Sequence, residues 1–252
     1  MLTHRVIPCL LLRDGGLVKT LKFGASKYVG DPINAVKIFN EKEVDELMVL
    51  DIDASRQRRG PDFGLIEELA GECFMPLSYG GGIRNAEDAR TLFALGVEKV
   101  CLQTAALANP GIIREIADRA GQQAVVVSVD VKRNWLGRPK LYNASGADPG
   151  SGDWRDAVRR AVEMGAGEIL LNAVDKDGTL AGPDLELIRE ASEIDEIPLI
   201  ATGGVGSLAD IRKATDAGAS AVAAGAYFVF QGPHRAVLIT YPRYEELQRL
   251  WS

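Results

Sequence analysis

The segment Ile197–Gly206, with the sequence IPLIATGGVG, decides how the rest of the chain is read. A short apolar run stops at the paired glycines Gly203 and Gly204, and Ser207, a residue type that caps helices well, follows them. This order predicts a strand, a glycine turn and a helix. Because glycine has no Cβ, the backbone of such a turn can approach a ligand closely, and the first N–H groups of the next helix can bind an anion.

A second segment, Met75–Asn85 (MPLSYGGGIRN), repeats these features earlier in the chain. A shift of 122 positions aligns the later half with the earlier one without a gap. The positions that coincide are Glu46 with Glu168, Gly60-Pro61-Asp62 with Gly182-Pro183-Asp184, Leu65-Ile66 with Leu187-Ile188, Gly81-Gly82 with Gly203-Gly204, Gly96 with Gly218, and Val100 with Val222. We therefore interpret residues 5–122 and 123–240 as duplicated halves, each with one candidate phosphate cradle.

The composition indicates a globular α/β protein and argues against several other classes. A chain of 252 residues with 46% hydrophobic content can bury a large core, and its length suits one (β/α)8 barrel. The net charge of −6 and the pI near 5.1 argue against partners such as nucleic acid or an anionic membrane. The sequence shows no leader pattern and no apolar run near the ~20 residues of a membrane span, so we expect a cytoplasmic protein.

Cysteine and histidine are sparse. Cys9, Cys73 and Cys101 have no paired spacing, and we expect them to be reduced thiols. The chain has only two histidines, His4 and His234, and His4 is expected on the surface. A metal centre built on imidazoles is therefore not expected, and neither is any cofactor.

Apolar strands alternate with helical stretches along the chain. The predicted strands are 5–12, 46–53, 74–79, 99–103, 124–130, 168–173, 197–201 and 220–224. The predicted helices are one that begins at Asp31-Pro32, followed by 62–73, 85–95, 109–120, 153–165, 184–193, 207–217 and 242–251. Eight such units in two equal halves predict a (β/α)8 TIM barrel as a single domain over residues 1–252. An open doubly wound sheet is the alternative.

Two segments are predicted to be loops. The first is the glycine-rich stretch that contains Lys19, Lys22, Lys27 and Tyr28, and it is long enough for a mobile lid. The second is the irregular segment 134–152, which follows the fifth predicted strand.

The active face of such a barrel lies at the carboxyl ends of its strands, where this sequence places several polar residues. Asp130 closes a long apolar run, so we predict that it acts as a general acid or base, and capping of a loop is the alternative. Asp51, Asn172 and Thr202 end other strands and are predicted to line a substrate pocket.

Each half carries residues suited to a phosphate group. One predicted cradle combines Gly81–Gly82 with Thr104, and the other combines Gly203–Gly204 with Gly225–Ala226. Two cradles imply a long, phosphorylated small molecule with a phosphate at each end. The alternative is that these glycines serve only tight turns, and the Asp177–Gly178 pair is equally open to both interpretations.

A different signal lies at the opposite end of the barrel, where four predicted strands begin with a charge. These residues are Arg5, Glu46, Lys99 and Glu168. Two cations and two anions at equivalent heights predict a ring of salt bridges across the amino-terminal mouth, which would act as a gate for something small and uncharged. The alternative is four solvated charges, since surface pairs stabilise by only ~0–1 kcal/mol.

Over essentially its whole length the chain resembles the cyclase subunit of imidazole glycerol phosphate synthase. The motifs that carry the resemblance are Arg5–Cys9 (RVIPC), Val18–Lys19, Gly30–Pro32, Leu50–Ile52, Gly80–Arg84 (GGGIR), Gly165–Leu171 (GAGEILL), Asp175–Thr179 (DKDGT) and Thr202–Gly204. The resemblance implies that a separate glutaminase docks at the amino-terminal face and that ammonia passes through the barrel to a bis-phosphorylated substrate. It also implies that the four strand-opening charges are the gate, that Lys19 and Asp130 act in catalysis, and that both cradles bind phosphate.

Two departures from that family bear on function. The family has catalytic aspartates at the ends of the first and fifth strands, and the first of these is Leu11 here, which cannot relay protons. Gln103 replaces a phosphate-contacting asparagine. In these two changes the chain resembles a paralogue group that accompanies bacterial surface-polysaccharide synthesis. The same resemblance extends to the segments Leu10–Lys19, Asp51–Ser55 and Phe228–Pro242. That resemblance implies delivery of ammonia to an ATP-dependent enzyme that amidinates a nucleotide-linked sugar.

Three functions follow from these observations. Leu11 and the intact set of charges favour an ammonia-relay subunit of a glutamine-dependent sugar amidotransferase complex. Asp130, Lys19 and the two cradles favour a true cyclase that makes imidazole glycerol phosphate. A sugar-phosphate isomerase of the same half-barrel plan is the third, although Leu11 counts against it and it needs no gate. Neither histidine lies near a nucleophilic cysteine in any plausible nucleophile elbow, so the ammonia source is expected to be another protein.

Overall fold

The computed structural model describes residues 4–146 and 153–252 of the chain. Its strands, numbered in chain order, are β1 (Arg5–Arg13), β2 (Gly16–Thr20), β3 (Ser26–Gly30), β4 (Leu47–Asp51), β5 (Leu77–Gly80), β6 (Lys99–Leu102), β7 (Val125–Arg133), β8 (Pro139–Tyr142), β9 (Glu168–Ala173), β10 (Leu199–Thr202), β11 (Ala221–Ala224), β12 (Phe230–Gln231) and β13 (Ala236–Val237). Its α-helices are α1 (Pro32–Glu41), α2 (Phe63–Glu72), α3 (Ala86–Ala94), α4 (Thr104–Ala108), α5 (Gly111–Ala120), α6 (Trp154–Glu163), α7 (Leu185–Ser192), α8 (Leu208–Asp216), α9 (Ala226–Val229) and α10 (Tyr244–Gln248). Among the described helices, none is long and apolar enough to cross a membrane.

Eight of the strands in the described residues run parallel and form a closed barrel. Their order around the barrel is β1, β4, β5, β6, β7, β9, β10 and β11, and β11 pairs with β1 to close the circle, with Arg5 opposite Ala221. Helices connect successive barrel strands, as parallel pairing requires. The predicted (β/α)8 barrel is confirmed, and the alternative of an open doubly wound sheet is wrong.

Local sequence explains where the helices begin. Asp31 accepts a hydrogen bond from the N–H of Asn34, and Pro32 opens α1. Equivalent caps recur at the predicted repeat spacing of 122 residues. They are Asp62 and Asp184, which cap α2 and α7, and Asn85 and Ser207, which cap α3 and α8. Shared capping supports the proposed duplication of the half-barrel.

The hydrophobic core has two layers, because the barrel strands are apolar on both faces. The larger layer lies between the strands and the surrounding helices. The smaller one fills the barrel interior, and its buried members are Ile7, Cys9, Met48, Cys101, Val126, Leu170, Ile200, Ala221 and Ala223. This inner layer separates the two ends of the barrel.

The two segments predicted to be loops contain hairpins. The stretch predicted as a mobile lid forms the antiparallel strands β2 and β3, with Val18 opposite Tyr28. In the second segment, β8 pairs with the outer half of β7, with Val131 opposite Leu141. Residues 147–152 of that predicted loop lie outside the described residues. Both predictions missed this strand pairing, because a composition rich in glycine or lysine resembles that of a loop.

Smaller corrections concern boundaries and one side chain. The predicted helix 109–120 corresponds to α5, the short helix α4 before it was not predicted, and the predicted final helix 242–251 is the shorter α10. His4, expected on the surface, is half-buried, and its ring centroid lies 5.3 Å from that of Trp251.

Candidate functional site

A pocket opens at the carboxyl ends of the barrel strands. It brings together the residues for which the sequence predicts a catalytic, phosphate-binding or substrate role. They are Leu11, Lys19, Asp51, Gly81, Gly82, Gln103, Thr104, Asp130, Asn172, Asp177, Gly178, Thr202, Gly203, Gly204, Gly225 and Ala226. Their roles stay predictions, but their convergence on one cavity follows from the parallel strands of the barrel.

Asp130 lies deep in the pocket, on β7. Its buried carboxylate accepts a hydrogen bond of 2.9 Å from the hydroxyl of Ser128. Burial raises the pKa of Asp130 to about 7, against the lowering effect of the Ser128 hydrogen bond, and the negative charge of Asp177 raises it further. A carboxyl group that titrates near neutrality can both donate and accept a proton.

Leu11 lies near the end of β1 and faces the same pocket. It is half-buried and packs, together with Leu50, against the inner apolar layer. Its neighbours in the sheet are Val18 on β2 and Leu50 on β4. The pocket wall is therefore apolar at the position where the related family has a carboxylate.

Lys19 enters the pocket from β2. Its buried amine donates a hydrogen bond to the carbonyl oxygen of Cys9 and fills the space beside Gly225, where any Cβ would collide with it. Burial lowers the pKa of Lys19, whereas Cys9 and Asp177 raise it. Lys19 thus places an amine directly beside the cradle that includes Gly225.

The paired glycines adopt backbone conformations that other residues rarely use. The φ angle is 120° at Gly81 and 101° at Gly203. A Cβ at Gly81 would collide with the carbonyl oxygen of Asp51, and one at Gly203 would lie 2.7 Å from that of Ala173. Close backbone packing therefore requires these glycines, with or without a bound anion.

Two short helices begin at the edge of the pocket. The N-cap of α4 is Gln103 and that of α9 is Gly225, and neither residue makes a side-chain cap hydrogen bond. The Gln103 amide instead donates to the carbonyl of Tyr142 at 3.1 Å and accepts from the hydroxyl of Thr104 at 2.9 Å. The N–H groups at helix starts attract anions, which agrees with the predicted cradles.

The carboxylates of Asp51 and Asp177 are occupied by neighbouring loops. Asp51 binds the guanidinium of Arg59 at 2.8 Å and also accepts from the N–H of Ala54. Asp177 accepts from the hydroxyl of Thr20 at 2.6 Å and so fixes the end of β2. A carboxylate repels phosphate, so the contacts of Asp177 fit a role in positioning the adjacent Gly178 better than direct phosphate binding. Asn172 and Thr202 are half-buried at the ends of β9 and β10.

The pocket also contains residues that sequence reasoning did not select. They are Arg13, Phe23, Ser55, Arg56 and Ser145, among others. Arg13 donates to Asp53 at 2.8 Å and to the hydroxyl of Ser26 at 2.6 Å. The sequence signal that could have identified the arginines is the presence of basic residues near carboxylates that end strands, such as Arg56 shortly after Asp53. Within the described residues, no group of three or more His, Cys, Asp or Glu side chains could hold a metal ion.

The four charges that open barrel strands form a closed ring at the other end of the barrel. Arg5 contacts Glu46 at 2.5 Å and Glu168 at 3.0 Å. Lys99 contacts the same two carboxylates, at 3.0 and 3.1 Å. The side chains therefore point inward across the barrel mouth, and the alternative of four separately solvated charges is wrong.

The ring is well shielded from solvent, apart from Arg5. Only 1% of the Glu46 side chain is exposed, and its second oxygen accepts a hydrogen bond of 2.7 Å from Ser78. Burial lowers the pKa of Arg5, but Glu168 and Glu46 outweigh this effect and raise it overall. The two basic and two acidic side chains of the ring thus pair with one another across the barrel mouth.

The fold and the pocket define a (β/α)8-barrel protein with a pocket at the carboxyl ends of its strands. Residues 5–233 match the histidine biosynthesis protein family, and the chain belongs to this family. The motif resemblance to the cyclase subunit of imidazole glycerol phosphate synthase is confirmed by two relatives.

One relative is the Pseudomonas aeruginosa protein named "Putative imidazole glycerol phosphate synthase subunit hisF2". It is 51% identical to this chain over 248 residues, which cover 98% of this chain and 99% of the relative. The other is the imidazole glycerol phosphate synthase subunit HisF of Streptomyces coelicolor, 42% identical over 229 residues, which cover 91% of each protein.

Proposed function

We propose that this chain is the ammonia-accepting subunit of a glutamine-dependent amidotransferase complex. A separate glutaminase docks on the amino-terminal face and releases ammonia, which the barrel conducts to the pocket. The nitrogen then serves an ATP-dependent sugar amidotransferase that amidinates a nucleotide-linked sugar of a surface polysaccharide. The complex is cytoplasmic in this proposal, in keeping with free thiols at Cys9, Cys73 and Cys101.

One combination of features carries the proposal. The ring of ion pairs is complete and consists of Arg5, Glu46, Lys99 and Glu168. At the opposite end, Leu11 stands where ring-closing chemistry of the related family uses a carboxylate. Four mutually paired charges are costly to bury, because each loses its hydration. Their retention in a chain with half of the acid/base pair supports conduction, rather than cyclisation, as the function.

The barrel interior suits a small neutral cargo. Above the ring, Ile7, Met48, Val126 and Ile200 form an apolar layer, and Leu11 extends it to the pocket. An ammonium ion would lose its hydration in this layer at high cost, whereas neutral ammonia would lose far less. The layer therefore favours ammonia itself as the molecule that travels along the axis.

The amino-terminal face has a feature that suits a protein partner. Phe74 precedes β5 on this face and is 86% exposed. Its N–H donates to the side-chain oxygen of Asn40 at 3.1 Å, so the backbone that presents the aromatic ring is fixed. Exposed aromatic residues on a fixed backbone are frequent anchors of protein interfaces. This supports docking of the glutaminase beside the ring.

An assay without glutaminase tests the proposal. The purified chain is given the bis-phosphorylated cyclase substrate and excess ammonium salt, and imidazole glycerol phosphate formation is measured. We expect no turnover at a cyclase rate from the unmodified chain, because Leu11 cannot exchange protons. Leu11→Asp is expected to raise turnover by about 10²-fold or more, and Leu11→Asn, which has similar shape but no acid, is the matched control.

Rapid turnover by the unmodified chain would contradict the relay proposal. It would support the second candidate, an authentic cyclase subunit of imidazole glycerol phosphate synthase. That candidate is favoured by the single pocket that contains both predicted cradles together with Asp130 and Lys19.

A further inference from the structure

We propose that the carboxyl-terminal face is a docking surface for a second protein, one whose contact surface is acidic and presents apolar side chains. The docking surface consists of three hairpins around the pocket, residues 16–30, 132–142 and 230–238, which we call the crown. The proposal goes beyond ammonia conduction and rests on it in one respect only, namely that the docked protein is the acceptor of the nitrogen.

The three hairpins form one continuous surface. Lys27 on β3 donates to the carbonyl oxygen of Arg235 at 3.0 Å, which joins the first hairpin to the third. The rings of Phe23 and Tyr142 meet edge to face at 6.0 Å, which joins the first hairpin to the second. The crown is therefore fixed as a unit above the barrel.

Most of the exposed large apolar side chains lie on the crown. Among all the described residues, eight large apolar side chains are exposed, and six of these belong to the crown. The six are Leu21, Tyr28, Trp135, Leu136, Val237 and Leu238. Single exposed apolar residues are ordinary, but a concentration around one pocket marks an interaction surface.

Trp135 is the most prominent of them, at 90% exposure. It sits on a turn held by the side-chain oxygen of Asn134, which accepts from the N–H groups of Leu136 and Arg138, each at 3.0 Å. The guanidinium of Arg133 ties the turn to the barrel, since it donates to the Gly137 carbonyl at 2.9 Å and pairs with Asp184 at 3.0 Å. A tryptophan presented by an ordered turn loses little conformational entropy on binding, which favours a role as an anchor.

Charge identifies the chemistry of the partner. The three hairpin segments contain eight Lys and Arg residues and no Asp or Glu, in a chain whose net charge is −6. Such a separation of charge steers and orients an oppositely charged surface. The partner surface is therefore acidic, with apolar positions that receive the side chains at the hairpin tips.

A small anion and a second copy of this chain fit these features less well. Lys132, Arg138 and Lys140 lie on the outer part of the second hairpin and do not line the pocket, where a small phosphorylated ligand would bind. Two copies in a symmetric crown-to-crown contact would bring the exposed basic residues of one crown against the same residues of the other, which are Lys22, Lys27, Lys132, Arg138 and Lys140. A different, acidic protein satisfies both the charge and the apolar tips.

Photo-crosslinking in the source cells tests the proposal. The full chain carries Trp135→p-benzoylphenylalanine in one strain and Phe74→p-benzoylphenylalanine, on the opposite face, in another. A protein captured through position 135 is identified by mass spectrometry, purified, and titrated against the full chain by calorimetry. We expect Trp135→Ser/Leu136→Ser and Arg138→Glu/Lys140→Glu each to weaken this binding at least about tenfold. Arg159→Glu/Arg189→Glu, the same charge reversal on helices away from the crown, is expected to leave it unchanged.

Several results would overturn the proposal. They are capture of no protein at position 135, capture of this chain itself, capture of the same protein through position 74, and titrations that the crown variants leave unchanged. Binding of the chain to vesicles that contain phosphatidylglycerol, abolished by Arg138→Glu/Lys140→Glu, would assign the crown to a membrane instead. If the Arg138→Glu/Lys140→Glu variant weakens the binding of inorganic phosphate and of nothing else, the crown would be assigned to a small anion.

The two proposals fail separately. The ammonium assay above does not involve the crown, and its outcome leaves the docking surface untouched. A captured protein that binds the crown but accepts no nitrogen would preserve the docking surface and remove only its link to ammonia conduction. The substituted side chains are exposed, so unchanged thermal unfolding is expected and serves as the check on folding.

Discussion

The pKa of Asp130 depends on the surroundings of its side chain in the folded protein. Its carboxylate accepts a hydrogen bond of 2.9 Å from the Ser128 hydroxyl, but the effect of burial is larger, so the pKa of Asp130 rises to about 7. In the unfolded chain an aspartate has an ordinary pKa near 3.8. The folded protein therefore holds this proton across a range of pH in which the unfolded chain has released it. Apolar Leu11 in the same pocket adds no charge that would reverse the effect.

Asp130→Asn is expected to change how stability depends on pH. Because the folded pKa is raised, the contribution of Asp130 is most favourable below the unfolded pKa and is lost as pH rises through about 7. Between pH 5 and pH 8 the unmodified protein should lose about 2–3 kcal/mol relative to the variant, as measured by urea unfolding. Asp31→Asn, which keeps a good N-cap on α1, is the control. Parallel pH profiles for the unmodified protein and Asp130→Asn would contradict the raised pKa.

At the scale of elements, the strand–glycine–helix unit determines the shape of the pocket. After β10 the chain turns at Gly203 in a left-handed conformation that brings its backbone against the carbonyl of Ala173. The turn after β5 does the same at Gly81 against Asp51. The pocket floor is therefore built from close backbone contacts that admit no Cβ.

Gly203→Ala is expected to destabilise the protein more than Gly146→Ala. Both glycines have positive φ, so both substitutions cost about 1–2 kcal/mol of backbone strain. At Gly203 the new Cβ also lies 2.7 Å from the Ala173 oxygen, whereas at Gly146 it meets no atom within 4 Å among the described residues. The additional clash should cost about 1–3 kcal/mol, measured as the difference in free energy of unfolding in urea. Equal costs for the two variants would show that the backbone approach is not tight.

The sequence predicted the strands of the barrel well and the added hairpins poorly, for a physical reason. Runs such as Val125–Val129 are apolar at nearly every position because parallel strands are covered on both faces, so local composition reveals them. The hairpin of β2 and β3 depends on pairing across a turn, and its lysines and glycines resemble a loop. Phe23 escaped notice for the same reason, since the hairpin brings it to the pocket. Charges that open apolar strands were visible, and their mutual pairing follows from the register of the closed barrel.

The whole molecule has two polar ends separated by an apolar interior. The ring lies at one end and the pocket with its crown at the other, and the inner layer between them includes Ile7, Met48 and Ala223. A molecule that enters past the ring and leaves through the pocket must cross this layer without a charge. In the proposed function we therefore expect conduction to depend on the complete barrel, and a change at the ring to affect nitrogen transfer without altering the chemistry at the pocket.

Glu46→Ala tests this coupling between the two ends. Glu46 pairs with both cations, so its loss leaves Arg5 and Lys99 with Glu168 alone and should cost about 3 kcal/mol of stability. In the complex with the glutaminase, we expect glutamine hydrolysis to continue while less ammonia reaches the acceptor, so that the ratio of glutamate formed to aminated product rises several-fold. Glu72→Ala, which removes an exposed carboxylate paired with Lys37, is the matched control and should leave this ratio unchanged. Glu46→Gln keeps the shape of the side chain, should raise the ratio in the same direction, and covers the case in which the alanine variant does not fold. A folded Glu46 variant with an unaltered ratio would remove the ring from the path of ammonia.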